Sequence, residues 1–189
     1  MLGTSGYARQ PLDFYATEPW VTKALLDAVK FRGMIWEPAC GRGDIVRVLE
    51  ATGYKVIATD IVGDDLGCQA AGRADFLAPH IIRGMPPLAL SIVTNPPYEF
   101  AEAFLRRALK LTESHYGQVA MLFRNEYDCA AGRRDLFERP SFAAKLVLTR
   151  RPRWLDANAQ HSASPRHAFA WYVWDHLHAG PATISWIPK

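Results

Sequence analysis

Long apolar runs and a strong excess of one charge are both absent from this sequence of 189 residues. Its apolar stretches are far shorter than a bilayer span, so no membrane-spanning helix is predicted. Residues 1–10 contain no apolar core of the kind that a secretory signal has, and we therefore expect a cytoplasmic protein. The formal net charge of +3 is too small to indicate a nucleic-acid partner by itself.

Cysteine is also scarce, and the three thiols, Cys40, Cys68 and Cys129, lie far apart. No Cys-x-x-Cys pair is present, so neither a zinc site nor a disulfide framework is predicted, and we expect reduced thiols. The histidines lack the spacing of a metal cluster, so we expect no bound metal. Apolar residues make up 49% of the chain, enough for the core of one α/β domain over residues 1–189.

Strand-like and helix-like segments alternate along the chain, which predicts an α/β fold with a mostly parallel sheet between helices. Helical spacing of apolar residues predicts helices at Trp20–Lys30, Asp44–Thr52, Phe100–Leu111 and Asn125–Glu138. Short apolar runs predict strands at Met34–Glu37, Lys55–Asp60, Ala89–Thr94, Gly117–Phe123, Lys145–Thr149, Ala168–Asp175 and Thr183–Ile187. Gly180-Pro181 separates the last two strands, so we expect the sheet to end in an antiparallel hairpin.

A turn with two glycines follows the first predicted strand, in the sequence Glu37-Pro38-Ala39-Cys40-Gly41-Arg42-Gly43. Glycines allow a ligand to approach the backbone closely, and the helix that follows offers unpaired N–H groups. The third glycine of a dinucleotide-binding turn is missing near Val46, and an acid at Glu37 would repel a pyrophosphate. The acid instead suits a ligand with a cationic amine or sulfonium. A Gly-x-Gly sequence alone favours a plain strand-to-helix turn.

Two further acids follow predicted strand ends. Asp60 ends the second strand, where a carboxylate can accept hydrogen bonds from both hydroxyls of a ribose. Asp75-Phe76 combines a carboxylate, which can bind an adenine amino group, with an aromatic ring that can cover the base. Each acid taken alone is more often a surface residue.

The strongest signal is Asn95-Pro96-Pro97-Tyr98, directly after a buried run. Two prolines fix φ and remove two N–H donors, so the turn presents carbonyl oxygens and an Asn side chain. Such acceptors can hold an NH₂ group by both hydrogens and aim the nitrogen lone pair at an electrophile, while Tyr98 stacks on the flat group that carries the amine. Because the tetrapeptide follows Glu37 and Asp60 in this order, a merely rigid turn is disfavoured.

These motifs resemble those of the amino-group DNA methyltransferases, and especially the small adenine-N6 enzymes of bacteriophages and bacteria. Asp13–Pro19 is similar to their N-terminal cofactor motif, Glu37–Gly43 to their cofactor loop and Asn95–Tyr98 to their catalytic tetrapeptide, in the γ-type order. The resemblance covers residues 13–124.

The resemblance implies a class I methyltransferase fold, Rossmann-like with seven strands, and S-adenosylmethionine as the cofactor. It also implies catalytic roles for Asn95, Pro96, Pro97 and Tyr98. The implied cofactor site is lined by Tyr15, Thr17, Glu37, Pro38, Ala39, Cys40, Gly41, Gly43, Asp60, Ile61, Asp75 and Phe76.

A basic segment, from Arg150 to His167, is the candidate DNA contact. Its arginines suit phosphates, and a tryptophan can act as a wedge or stacking group. The residues are Arg150, Arg151, Arg153, Trp154 and Arg166. A separate target-recognition region has no room in 189 residues, so we expect weak sequence specificity. From charge alone, a solvated surface loop is an equal alternative.

The expected reaction is transfer of a methyl group from S-adenosylmethionine to adenine N6 in DNA, on a base flipped out of the duplex. RNA adenine stays open as the substrate. Methylation of a protein glutamine is an alternative, because release-factor methyltransferases share an Asn-Pro-Pro-Tyr sequence. A non-catalytic nucleic-acid-binding module is the third alternative. The sequence predicts no oligomeric state.

Overall fold

The computed structural model describes residues 16–63, 68, 71–79, 90–153 and 167–188. Within them, eight strands form one sheet in the order β3-β2-β1-β4-β5-β7-β6-β8. The strands are β1 (Met34–Glu37), β2 (Val56–Asp60), β3 (Ala71–Arg73), β4 (Leu90–Thr94), β5 (Gln118–Arg124), β6 (Phe142–Leu148), β7 (Phe169–Asp175) and β8 (Thr183–Ile187). The helices are α1 (Pro19–Ala28), α2 (Asp44–Ala51), α3 (Ala101–Glu113) and α4 (Arg134–Phe137).

Among the described strands, β7 alone runs against the others, because it pairs antiparallel with both β5 and β6. Strands β2, β1, β4 and β5 pair in parallel with one another, and β8 pairs in parallel with β6. The predicted α/β class with a mostly parallel sheet is therefore confirmed. Parallel strands carry their carboxyl ends to one edge, and this edge collects the candidate functional residues.

Alternation along the strands divides the core into two layers. On β5, Ala120 and Leu122 face one layer, together with α1 and α2, while Met121 and Phe123 face the other, with α3. Both faces of β4, β5 and β7 are buried, which is why these strands are almost continuously apolar. No helix in the described part of the chain is long and apolar enough to cross a membrane.

The end of the sheet differs from the expected hairpin. Strand β8 pairs with β6, and β6 lies between β7 and β8, so the last two strands are not neighbours. The strand over β6 also begins earlier than expected, at Phe142 rather than Lys145. The antiparallel pair at this end is β6 with β7, joined by the basic segment instead of by Gly180-Pro181.

The prediction of one helix over Asn125–Glu138 is wrong. The structure has two short 3₁₀ turns, Tyr127–Cys129 and Ala131–Arg133, followed by α4. Tertiary contacts override the helical pattern here. The ring of Tyr127 stacks on that of Phe123, with centroids 3.9 Å apart, and Asp128 pairs with the Lys145 ammonium on β6 at 2.8 Å.

Candidate active site

The chain leaves the central strands β1 and β4 in opposite directions, because β1 leads towards β2 and β4 leads towards β5. Such a topological switch point opens a crevice at the carboxyl ends of the strands, where α/β proteins bind ligands. Glu37 ends β1, and Asn95 directly follows β4. The cofactor-type loop and the Asn-Pro-Pro-Tyr turn therefore flank one crevice.

The loop after β1 depends on its two glycines. Gly41 has a φ of 51° and Gly43 a φ of 79°, and side chains are strained in this left-handed region. A Cβ on Gly43 would lie 2.8 Å from the Cys68 sulfur, so the space is also closed to a side chain. The loop then enters α2 at Asp44, which places a helix N-terminus beside the crevice.

Asp60, at the end of β2, shapes this loop. Its Oδ2 accepts a hydrogen bond of 2.9 Å from the Gly41 amide, and its Oδ1 accepts one of 3.1 Å from the Val62 amide. These bonds hold the carboxylate in place. A carboxylate has about four lone-pair sites, so two remain for hydroxyl donors of a ligand. The arrangement is compatible with the predicted contact to a ribose.

Glu37 is fully buried at the end of β1. Its Oε1 accepts a hydrogen bond of 3.1 Å from the Ala39 amide, but its Oε2 makes no hydrogen bond of normal geometry with the described residues. Burial raises the pKa of Glu37 to about 8; the nearby Thr94 hydroxyl and the Ala39 amide oppose the shift, and Asp60 adds to it. A buried acid with one unsatisfied oxygen suits a cationic ligand.

Asn95 is half-buried directly after β4, and its Nδ2 donates a hydrogen bond of 3.2 Å to the Thr17 hydroxyl. The backbone turns sharply after it, since the Phe100 amide donates to the Pro97 carbonyl at 3.0 Å. No amide of the described residues donates to the carbonyl of Pro96. The Asn95 side chain and the Pro96 carbonyl thus lie at the carboxyl end of β4, beside the crevice.

The ring of Tyr98 is partly buried at the start of the 3₁₀ turn Tyr98–Phe100. Its neighbour is Phe169, the first residue of β7, with ring centroids 6.3 Å apart and planes tilted by 36°. Sequence reasoning missed Phe169. Because β7 is antiparallel, its first residue lies at the edge where the parallel strands end, and only the topology shows this.

The other expected cofactor residues occupy different environments. Ile61 is 57% exposed beside Asp60, and an exposed apolar side chain there can cover a flat ring. Asp75 is exposed and accepts a hydrogen bond from the Leu77 amide. Tyr15 lies outside the described residues.

Phe76 is not placed as expected, because its ring is 1% exposed and packs in the core against Trp36 and Phe104. The ring centroids lie 5.0 and 4.8 Å away. The structure thus gives this ring a packing role, and the resemblance does not reveal it because an aromatic residue suits a core as well as a ligand.

The loop residues Pro38 and Cys40 are buried, and Ala39 is half-buried. Burial raises the pKa of the Cys40 thiol strongly, so this thiol is protonated and a poor nucleophile. The buried side chains of Pro38 and Cys40 therefore shape the loop and offer no surface to a ligand.

The basic segment begins at the same edge, because β6 ends at Leu148. Arg150, Arg151 and Arg153 are exposed. The backbone amide of Arg153 donates a hydrogen bond of 2.7 Å to Glu18, just before α1. Trp154 and Arg166 lie outside the described residues. Residues 150–153 therefore start at the edge of the sheet where the parallel strands end.

No group of three or more potential ligands in the described residues could hold a metal ion. The three cysteines are free thiols, as expected.

No family model matches this sequence, and no curated protein does either. Solved structures do. The methyltransferase subunit of a type I restriction-modification system from Streptococcus thermophilus matches with a TM-score of 0.57 and 11% identity, over 83% of this chain and 42% of that one. A protein described as a class I S-adenosylmethionine-dependent methyltransferase from Listeria monocytogenes matches with a TM-score of 0.54 and 16% identity, over 89% and 63%.

The chain has the class I methyltransferase fold. A third structure, the 23S rRNA methyltransferase ErmE, agrees, with a TM-score of 0.57 and 16% identity over 87% of this chain and 70% of that one. At such identities the similarity shows the fold alone. This chain spans less than two thirds of the first two matched proteins.

The raised pKa of Glu37 predicts how stability depends on pH. Between the ordinary pKa of 4.5 and the folded value of about 8, the folded chain keeps a proton that the unfolded chain has released. The free energy of unfolding should therefore fall as the pH rises from about 5 to about 8, by at most about 1.4 kcal/mol per pH unit from this group. Glu37→Gln cannot release a proton and should flatten that slope in urea unfolding.

Glu50→Gln is the matched control, because Glu50 is exposed on α2. Its slope should equal that of the unsubstituted chain. If Glu37→Gln and the unsubstituted chain lose stability equally over this pH range, Glu37 is ionised in the folded protein and the assignment is wrong.

Proposed function

We propose that this chain is an S-adenosylmethionine-dependent methyltransferase that modifies the exocyclic N6 of adenine in DNA, with low sequence specificity. The observation that carries the proposal is the shared crevice. Asn95 and the Pro96 carbonyl lie at the end of β4, beside the strand end that carries Glu37. The acid that suits the cofactor and the oxygens that suit the acceptor amine are thus neighbours at one switch point.

The fit of the cofactor rests on Glu37 and Asp60. The unsatisfied Oε2 of Glu37 can accept a hydrogen bond from the ammonium group, whose positive charge would favour the ionised form of the buried carboxyl. The free lone pairs of Asp60 can accept the ribose hydroxyls, and Ile61 can cover the adenine ring. When bound, S-adenosylmethionine supplies an electrophilic methyl group on a sulfonium.

The acceptor amine is held by two oxygens. The Asn95 side chain and the Pro96 carbonyl each accept one N–H of the adenine amine, which turns the nitrogen lone pair out of conjugation with the ring. Tyr98 stacks on the base and fixes its plane. No residue has to form a covalent bond, so proximity and orientation supply the acceleration.

DNA is proposed as the substrate because exposed arginines begin where β6 ends, on the edge that carries Asn95. Guanidinium groups bind phosphates, and phosphate contacts position a protein without reading sequence. RNA is the second candidate, since the similar ErmE is described as an rRNA methyltransferase.

Substitutions in the tetrapeptide test the catalytic assignment. Asn95→Ala should reduce kcat to near background and leave the cofactor Kd nearly unchanged, because the amide acts on the acceptor amine. Tyr98→Phe should be mild and Tyr98→Ala severe, since stacking is worth about 1–3 kcal/mol per base. Single-turnover kinetics on an adenine-containing duplex, with cofactor calorimetry, measure both.

Two results would contradict these roles. A normal kcat in Asn95→Ala would remove the amide from catalysis. Equal losses in Tyr98→Phe and Tyr98→Ala would show that the hydroxyl, and not the ring face, is what the reaction needs.

The arginines predict a salt dependence of DNA binding. Replacing Arg151 and Arg153 together by Ala should weaken binding to all duplexes alike. The log–log slope of affinity against salt should become less steep, by about 0.9 for each phosphate that the variant no longer neutralises. Fluorescence anisotropy at several salt concentrations measures the slope.

The control removes two charges elsewhere, through Lys23→Ala on α1 with Lys110→Ala on α3. Both lysines are exposed. An equal change of slope in the control would mean that net charge alone governs binding, and the basic segment would lose its assigned role.

A further inference from the structure

Two adjacent side chains just before α1 contact two different parts of the sheet edge that carries Asn95. The Thr17 hydroxyl accepts a hydrogen bond from the Asn95 side-chain amide at 3.2 Å. Oε2 of Glu18 accepts hydrogen bonds from the Arg153 backbone amide at 2.7 Å and from the Trp20 indole at 3.0 Å. One dipeptide therefore joins the Asn-Pro-Pro-Tyr turn to the basic segment.

We propose that Thr17 and Glu18 are positioning residues: Thr17 holds the Asn95 amide in place for the acceptor amine, and Glu18 holds residues 150–153, at the start of the basic segment, in their DNA-binding position. This inference rests on the proposed function. It assigns Thr17 a role different from the cofactor contact that the sequence resemblance implies.

The role of Thr17 follows from the chemistry of a primary amide. An Asn side chain has an acceptor at one end and two donors at the other, and rotation about its last bond exchanges them at little cost. An acceptor amine needs the oxygen. Because Nδ2 donates to the Thr17 hydroxyl, and Thr17 is 4% exposed, the Asn95 oxygen lies at the opposite end of the amide group, away from Thr17.

The role of Glu18 follows from contacts at both ends of the segment 150–153. Besides the bond from the Arg153 amide, the guanidinium carbon of Arg150 lies 4.4 Å from the centroid of the Trp20 ring, a cation–π contact. Glu18 also fixes the Trp20 ring through the indole N–H. The segment is thus held at two points by residues 18–20, and a held segment loses less entropy on binding DNA.

Thr17→Val tests the first role, since valine keeps the shape and removes the hydroxyl. We expect kcat to fall roughly two- to tenfold, the worth of one neutral hydrogen bond. The cofactor Kd from calorimetry and the KM for DNA should stay within about twofold of the unsubstituted chain. Thr17→Ser, which restores a hydroxyl, should recover most of kcat.

Thr22→Val is the matched control on α1. Thr22 is fully buried, and its hydroxyl makes no hydrogen bond with the described residues. The same substitution there should leave kcat, KM and the cofactor Kd unchanged. An equal fall of kcat in Thr22→Val would reduce the effect at Thr17 to a general loss of packing and would overturn the proposal.

A double-mutant cycle gives a reading that needs no activity. Thr17→Val and Asn95→Ala remove the same hydrogen bond, so the double variant should be less destabilised in urea unfolding than the sum of the two single variants. Strictly additive changes in the free energy of unfolding would show that the bond does not form. The proposed role of Thr17 would then be wrong, independently of the activity measurements.

Glu18→Ala tests the second role, with Glu18→Gln as its partner because a glutamine oxygen can still accept both bonds. We expect Glu18→Ala to raise the KM for DNA about three- to tenfold, with a much smaller effect on kcat, and Glu18→Gln to be close to the unsubstituted chain. An unchanged KM in Glu18→Ala would contradict the holding role.

The outcomes separate this inference from the proposed function. If the unsubstituted chain binds S-adenosylmethionine and methylates adenine, but Thr17→Val raises the cofactor Kd and leaves kcat at saturation unchanged, then Thr17 is a cofactor ligand and only the inference fails. If the unsubstituted chain neither binds the cofactor nor methylates DNA, the proposed function fails, and the inference fails with it.

Discussion

The common direction of the parallel strands is the constraint on which the rest of the structure depends. It brings Glu37, Asp60 and Asn95, which are distant in sequence, to one edge of the sheet. The reversal of strand order between β1 and β4 then opens the crevice between them. Strand β7 is the single antiparallel strand of the described sheet, so its first residue, Phe169, lies at the edge where the parallel strands end.

The buried carboxyl of Glu37 lowers the stability of the folded chain at this edge. A fully buried carboxyl with one unsatisfied oxygen costs free energy, and its pKa of about 8 means that it is mostly protonated in the free protein at neutral pH. The surrounding core offsets this cost, since Trp36 beside it is fully buried and packs on Phe76. A cationic ligand beside Glu37 would favour the ionised form of its carboxyl. The strained or unsatisfied groups of a fold commonly mark such functional positions.

Much of the fold and of the crevice could be predicted from the sequence, because local patterns carry them. The glycines at 41 and 43 indicate a turn with positive φ, which other residues adopt only with strain. The two prolines at 96 and 97 fix the turn after β4. The pairing of β8 with β6 could not be predicted, since the pattern of a strand does not indicate which other strand it pairs with. The broken segment after β5 was missed because its turns are set by Phe123 and Lys145, which lie outside it.

The hydrogen bond between Thr17 and Asn95 has the same origin as these missed features. It joins two motifs that sequence reasoning treats as separate, and a shared family motif assigned Thr17 to the cofactor instead. Likewise, Glu18 has no distinguishing pattern of its own, because its partner is the backbone of Arg153, 135 residues further along the chain. Contacts of high sequence separation are where a structure adds most to a sequence.

The proposed reaction is tested most directly by mass spectrometry of nucleosides and amino acids, after incubation of the protein with S-adenosylmethionine carrying a labelled methyl group and with DNA, RNA or protein. The expected result is labelled N6-methyladenine in the DNA, spread over many sequence contexts and lost in Asn95→Ala. Label found only in RNA or in protein glutamine, or no label in any substrate while the cofactor binds, would contradict the proposed function.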